Sequence, residues 1–216
     1  MIVIIDFDYT LFSTVKFYLA IKKSFKKIGV KECLFKETFE KSKGKGMNYK
    51  PEKQIKLIVK SFPQVKENLL KKELKRTLRK ASKFLYPDTK PFLKKWQNKA
   101  DLILLSYGEN RFQKEKIRNA KISSYFKKIL ITKDFSKVSA LKRILKSKKD
   151  QKVIFVEDNP YALKETKKIF PNLITIKINR KEKKYATAAN NPKIDFSIKN
   201  LKELEKILIK IIKSNF

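Results

Sequence analysis

The chain of 216 residues contains no histidine. That excludes a Ser-His-Asp triad, a zinc site built on imidazole and any imidazole general base. Carboxylates, lysines and hydroxyls are left to carry whatever chemistry exists. Cys33 is the only cysteine, so an internal disulfide and a multi-cysteine zinc site are both ruled out; a small buried apolar role is expected for it. No apolar run approaches the length of a membrane span, and no basic segment precedes an apolar one at the start. A cytoplasmic protein without a signal peptide or membrane span is therefore expected. Acids are also scarce: 21 Asp and Glu stand against 55 Lys and Arg, a formal net charge of +34.

Such a charge draws polyanions, including RNA, DNA and acidic membrane surfaces, at low salt. It does not imply specificity, because only Arg76, Arg79, Arg111, Arg118, Arg143 and Arg180 supply guanidinium forks, the groups suited to bidentate phosphate or guanine recognition. An AT-rich coding sequence accounts for abundant Lys, Ile, Asn and Phe but not for the shortage of acids. A polyanionic partner and coding bias both stay open, since charge balance speaks to association rather than fold.

At 25.5 kDa and 42% hydrophobic residues, the chain suits one substantial domain with a smaller insertion. It opens on Ile2-Val3-Ile4-Ile5, an interior parallel strand by composition, which delivers Asp6-Phe7-Asp8-Tyr9-Thr10 at its carboxyl end. Alternation places Asp6 and Asp8 on one side and Phe7 on the other. Two adjacent anions call for a cation between them, and a hard divalent ion such as Mg²⁺ fits best. The same Asp8-Tyr9-Thr10 could instead start the following helix.

From Ser13 to about Tyr86 the pattern is helical. Val15, Leu19, Phe25 and Ile28 precede a stop at Gly29, a second helix covers Glu32 to Ser42, a loop spans 43–51, and helices resume on either side of Pro63. After Pro87, short apolar runs (Leu102–Leu105, Ile129–Ile131, Val153–Val156, Leu173–Ile176) alternate with amphipathic stretches, one carrying Val138, Leu141, Ile144 and Leu145. This alternation implies right-handed crossovers and an α/β, Rossmann-like parallel sheet flanked by helices. Residues 1–12 and 87–216 form the α/β core in this reading, 13–86 a small all-α insertion, and 177–191 a solvated loop.

In a parallel sheet, polar residues just after separate strands converge on one edge. Four such points stand out: Asp6 to Thr10; Ser106, after Leu102–Leu105; Lys137, before the Val138 helix; and Glu157-Asp158, after Val153–Val156. Each also has a plain account: a helix cap for Ser106, one more solvated lysine for Lys137, turn residues for Glu157 and Asp158. Lys133, at a strand end, competes with Lys137.

The order of the four points resembles the haloacid dehalogenase superfamily, whose members are mostly phosphatases: strand into DxDxT, strand into Ser, Lys before a helix, strand into paired acids. The helical block falls where that family inserts its first-type cap. Tyr9 departs from the glycine usual there, which bears on the local turn but removes no catalytic group. The resemblance implies Asp6 as nucleophile, Asp8 as general acid and base, and Mg²⁺ held by Asp6, the Asp8 carbonyl and Asp158 with Glu157 direct or through water. Phosphate-binding positions are Thr10, Ser106 and Lys137. Within the inserted block Lys16, Lys43, Lys45, Tyr49 and Lys50 are candidates for contact with a small phosphorylated substrate.

Halide-removing members lack a carboxylate at the position of Asp8, so its presence favours Mg²⁺-dependent phosphomonoester hydrolysis through an aspartyl-phosphate. A sugar-phosphate mutase would use the same core. From a different class, the charge allows a nucleic-acid-associated protein, with or without activity on polynucleotide ends.

Overall fold

The computed structural model describes residues 1–44, 48–146, 151–182 and 194–213. Two compact units emerge, one formed by 1–13, 85–107 and 122–216, the other by 14–84 and 108–121. The first is an α/β unit built on six parallel strands: β1 (Ile2–Ile5), β2 (Asp101–Tyr107), β3 (Lys128–Thr132), β4 (Val153–Glu157), β5 (Ile174–Ile178) and β6 (Phe196–Ile198). Their order is β3-β2-β1-β4-β5-β6. Helices α5 (Thr89–Trp96), α7 (Val138–Leu145), α8 (Pro160–Ile169) and α9 (Leu201–Lys213) complete this unit.

β1 sits at the centre because four consecutive apolar residues can be buried on both faces at once. All four are fully shielded from solvent. β1 pairs in register with β2 on one side, Ile5 opposite Leu104, and with β4 on the other, Ile5 opposite Val156. On one face Ile2, Ile4, Leu105 and Phe155 pack with Ala140 and Leu141 of α7 and Leu163 of α8. The chain reverses its direction of progress across the sheet between β1 and β4, the topological switch point at which open α/β sheets hold ligands.

The helical unit contains α1 (Thr14–Lys26), α2 (Glu32–Ser42), α3 (Pro51–Ser61), α4 (Glu67–Arg79) and α6 (Asn110–Asn119). The expected stop at Gly29 is present, with φ +92°, a conformation that glycine adopts without steric cost. Its core is aromatic: Phe35 contacts Phe25 edge-on at 5.6 Å between centroids, and Tyr18 and Tyr49 each lie 4.7 Å from Phe39.

Several expectations need correction. Val15 and Leu19 are exposed; α1 buries Phe25 as expected, together with Phe17 and Ile21. Cys33 is exposed, since α2 buries the stripe Phe35, Thr38 and Ser42 and turns Cys33 outward. The expected loop from residue 177 begins later: Lys177 and Ile178 lie in β5, both buried, and 183–191 falls outside the described residues. β6 leaves no signature in the sequence. Three residues with an exposed Phe196 carry too little pattern to be read as a strand.

Phe7, fully buried, stacks on Phe12 with centroids 4.8 Å apart. Phe7→Ala is expected to cost about 3–5 kcal/mol of stability through lost burial and the cavity left behind, read as a lower urea midpoint with an unchanged m-value.

Candidate active site

The loop after β1 is a closed turn. Leu11 N and Phe12 N donate to Phe7 O at 2.9 and 3.0 Å, and Tyr9 N donates to Phe12 O at 2.8 Å. Tyr9 occupies the left-handed region, φ +59°. A left-handed turn that glycine would make without steric cost is thus made by a tyrosine, at a cost of about 1–2 kcal/mol. Asp6 N donates to Val156 O at 3.0 Å, which fixes the first acid against the end of β4. The helix that follows begins at Thr14, so Asp8 does not cap it.

Asp6, Glu157 and Asp158 are all buried, and one carboxylate oxygen from each lies within 4.8 Å of the other two. The ammonium of Lys137 pairs with both Asp6 and Glu157; it is itself 3% exposed and lies 5.9 Å from the centroid of the Phe155 ring. Lys133 is exposed, so of the two competing lysines Lys137 is the one at the acidic cluster. Burial, then the charge of Glu157, pushes the Asp6 carboxyl from 3.8 up to about 7, against the pull of Lys137. Burial also works against the Lys137 ammonium, but the charges and hydrogen bonds of Asp6 and Glu157 outweigh it and hold its pKa above the usual value. One cation shared between two buried carboxylates leaves a surplus of negative charge. Three hard oxygen donors around that surplus suit a hard divalent ion such as Mg²⁺ in ligand type.

Lys137 reaches this position by a strained backbone. It stands immediately before α7 with φ +61°, and its N–H donates to Asp134 O at 3.1 Å. Asp134 braces the turn, accepting from Ser136 N and Ser139 N, each at 2.9 Å, and from both serine hydroxyls. Burial opposes the ionised Asp134, yet these four donors prevail and hold its pKa below the usual carboxylate range.

The other predicted residues divide by unit. Asp8 is half-buried and Thr10 fully buried in the β1 loop, and Ser106 is fully buried at the end of β2, on the same carboxyl edge of the sheet. Glu109 caps α6, so Ser106 is not its cap. Lys16, Lys43, Tyr49 and Lys50 belong to the helical unit. Lys43 is engaged with Glu40 at 2.6 Å, and the Tyr49 hydroxyl donates to Gln54 Oε1 at 2.6 Å. Burial raises the pKa of that phenol. Lys16 and Lys50 are exposed. Lys45 lies outside the described residues.

Sequence reasoning missed a positioning pair. Arg180, just beyond β5, donates from Nε to Thr10 O at 2.9 Å and from Nη1 to Asp88 Oδ2 at 2.7 Å. Its guanidinium lies 4.3 Å from the Tyr86 ring centroid. Asp88 Oδ2 also accepts from Leu201 N at 2.8 Å. The β1 loop is thereby tied to the start of α9. Nothing in the local pattern marks these residues except that Arg180 is one of only six arginines.

The profile of the haloacid dehalogenase-like hydrolases matches residues 3–176; the chain belongs to this family of hydrolases. No curated protein sequence matches it. Among solved structures it is similar to a putative haloacid dehalogenase-like hydrolase from Burkholderia xenovorans LB400, with TM-score 0.76 and 16% identity over 94% of each chain. It is also similar to the putative HAD-hydrolase YfnB from Bacillus subtilis bound to magnesium, with TM-score 0.65 and 16% identity over 95% of this chain and 97% of that one. A third likeness is to L-2-haloacid dehalogenase from Xanthobacter autotrophicus, with TM-score 0.60 and 15% identity over 96% and 98%. Identities this low establish the shared fold.

Two outcomes follow. Arg180→Met, which leaves a partly buried Asp88 carboxylate without its cation, is expected to cost about 1–3 kcal/mol in urea unfolding. For the metal-free protein, Asp6 binds its proton more tightly folded than unfolded, so its ionisation opposes folding. The protonated group's contribution is complete below about pH 4 and is lost as pH rises toward about 7. Asp6→Asn should therefore be more stable than the native chain near pH 8 and equal to it near pH 4, measured by urea unfolding in chelator.

Proposed function

We propose that this hydrolase is a Mg²⁺-dependent phosphomonoesterase that forms an aspartyl-phosphate on Asp6. The observation that carries the reading is the convergence of Asp6, Glu157 and Asp158, one carboxylate oxygen of each within 4.8 Å of the others, with Lys137 against two of them. Asp6, Asp158 and the Asp8 carbonyl would hold the metal, with Glu157 direct or through water. When bound, the ion supplies Lewis-acid charge that offsets repulsion between the acids and a phosphate dianion.

The chain's own groups account for the rest. An Asp6 carboxylate oxygen attacks phosphorus in line, and the bond to the ester oxygen breaks. Asp8 gives its proton to that leaving oxygen and, as the resulting carboxylate, takes a proton from water. The hydroxide attacks phosphorus, the bond to Asp6 breaks, and inorganic phosphate leaves with Asp6 restored. Lys137, locked by its two carboxylates, stays charged throughout and stabilises charge on the phosphoryl oxygens. Ser106 and Thr10 complete the phosphate contacts. A dehalogenase ester on carbon needs no proton for its leaving halide, whereas an alkoxide leaving group does. Asp8 therefore favours the phosphoryl reading over the haloacid activity that a neighbour's name carries. The helical unit, whose larger part, residues 14–84, directly follows the first motif, is assigned the selection of substrate.

Purified protein with Mg²⁺ should hydrolyse a generic aryl phosphate and release no halide from 2-haloacids. Chelation and Asp6→Asn should each abolish turnover, and Ser106→Ala should lower kcat about 10²–10³-fold. Persistent activity in Asp6→Asn would sink the scheme.

A further inference from the structure

We propose that the helical unit carries a binding site of its own: a cationic cleft among α3, α4 and α6 that takes the sugar-phosphate backbone of a single-stranded nucleic acid. The cleft has a volume of about 1290 Å³, larger than the roughly 300–1,000 Å³ that encloses a small molecule. Ile55, Leu74, Leu78 and Phe112 form its apolar base, and its walls are lysine and arginine.

The charge there is largely unopposed. Lys71 pairs with Glu67 at 2.6 Å and Arg111 with Glu52 at 3.8 Å. Lys50, Lys53, Lys56, Lys75, Lys114 and Arg118 line the cleft, are exposed and enter no ion pair among the described residues. The lining holds three acids against eight lysines and arginines: Glu52, which meets Arg111, Glu115, and Glu109, which accepts from Arg111 N and Phe112 N at 3.0 and 2.6 Å as the cap of α6. On α3 and α6 the lining cations stand as like charges three or four residues apart, Lys53 with Lys56 and Lys114 with Arg118, a spacing that costs helix stability and that a bound polyanion would relieve.

Lysine point charges follow a phosphate chain without reading bases, and the two arginines present are too few for a bidentate code. A concave cleft admits a flexible strand but not a flat lipid surface. The site uses none of the groups of the acidic centre and stands or falls independently of the phosphatase reading.

The test is anisotropy of a fluorescein-labelled single-stranded RNA of about 20 nucleotides, with Kd expected at about 10 μM or tighter near 150 mM salt. Six phosphate contacts predict a slope of log K against log salt near −4. Lys53→Glu/Lys56→Glu/Lys75→Glu/Lys114→Glu should weaken binding more than about tenfold and flatten that slope. Lys164→Glu/Lys202→Glu/Lys206→Glu/Lys210→Glu, exposed positions of the α/β unit with the same change of net charge, should weaken it less than about threefold. The corresponding Lys→Gln set in the cleft serves if charge reversal disturbs the circular dichroism spectrum. Equal weakening by cleft and control sets overturns the proposal, as does no RNA binding by the native chain at that salt. Phosphatidylserine vesicles captured as tightly as RNA, with the same sensitivity to the cleft variant, overturn it too.

Discussion

The α/β unit is organised around one buried cation placed between two buried anions. Desolvating an ammonium and a carboxylate is costly, and the attraction between them repays it only when geometry and further hydrogen bonds are favourable. Lys137 meets that condition by touching Asp6, from the loop after β1, and Glu157, from the end of β4, strands that are hydrogen-bonded neighbours. The pair cannot form unless β1 and β4 are adjacent and parallel, so sheet order and site electrostatics are one constraint. Removing the lysine alone would leave two carboxylates facing each other in a dry space. A compensating ion or an additional proton would then be required.

Backbone strain is concentrated at the same place. Among the described residues Tyr9, Lys121, Lys137 and Lys181 are the non-glycine residues with positive φ, and two of these four flank the acidic centre. A left-handed lysine before α7 persists because its surroundings over-determine it: Asp134 braces the turn from one side while two carboxylates hold the ammonium from the other. Tyr9 is held in a different way, by the three backbone hydrogen bonds that close its loop and by the grip of Arg180 on the next carbonyl. The acids are therefore presented on a preset loop, which reduces the reorganisation left for the moment of reaction.

The parts of this arrangement legible in the sequence were those with a local cause. β1 could be read because four apolar residues end abruptly in acids, and α2 because it lies between the stop at Gly29 and the glycine-bearing loop that starts at Lys43. The gathering of Asp6, Lys137, Glu157 and Asp158 was legible only as an ordering of strand ends, since parallel pairing turns sequence order into spatial proximity. What stayed hidden lacked local pattern. Arg180 and Asp88 are 92 positions apart and are joined solely by the tertiary fold. Cys33, Val15 and Leu19 look like core residues by type, but the buried stripe of each helix is fixed by the neighbouring helices that it meets, and type alone cannot select it.

The abundance of lysine obscured function because the residue type says little without its surroundings. Lys137 and Lys133 are four positions apart and identical in composition, yet one is buried against two carboxylates and the other is exposed. The first has a fixed geometry, a raised pKa and a charge felt at short range in a low-dielectric site; the second is a hydrated charge screened within about 8 Å at physiological salt. The same logic separates the two uses of positive charge proposed for this chain. A single desolvated ammonium can stabilise a phosphoryl group during reaction, because no water competes for it. A row of exposed ones can only gather phosphates by their number, and any affinity gained that way must fall steeply with added salt.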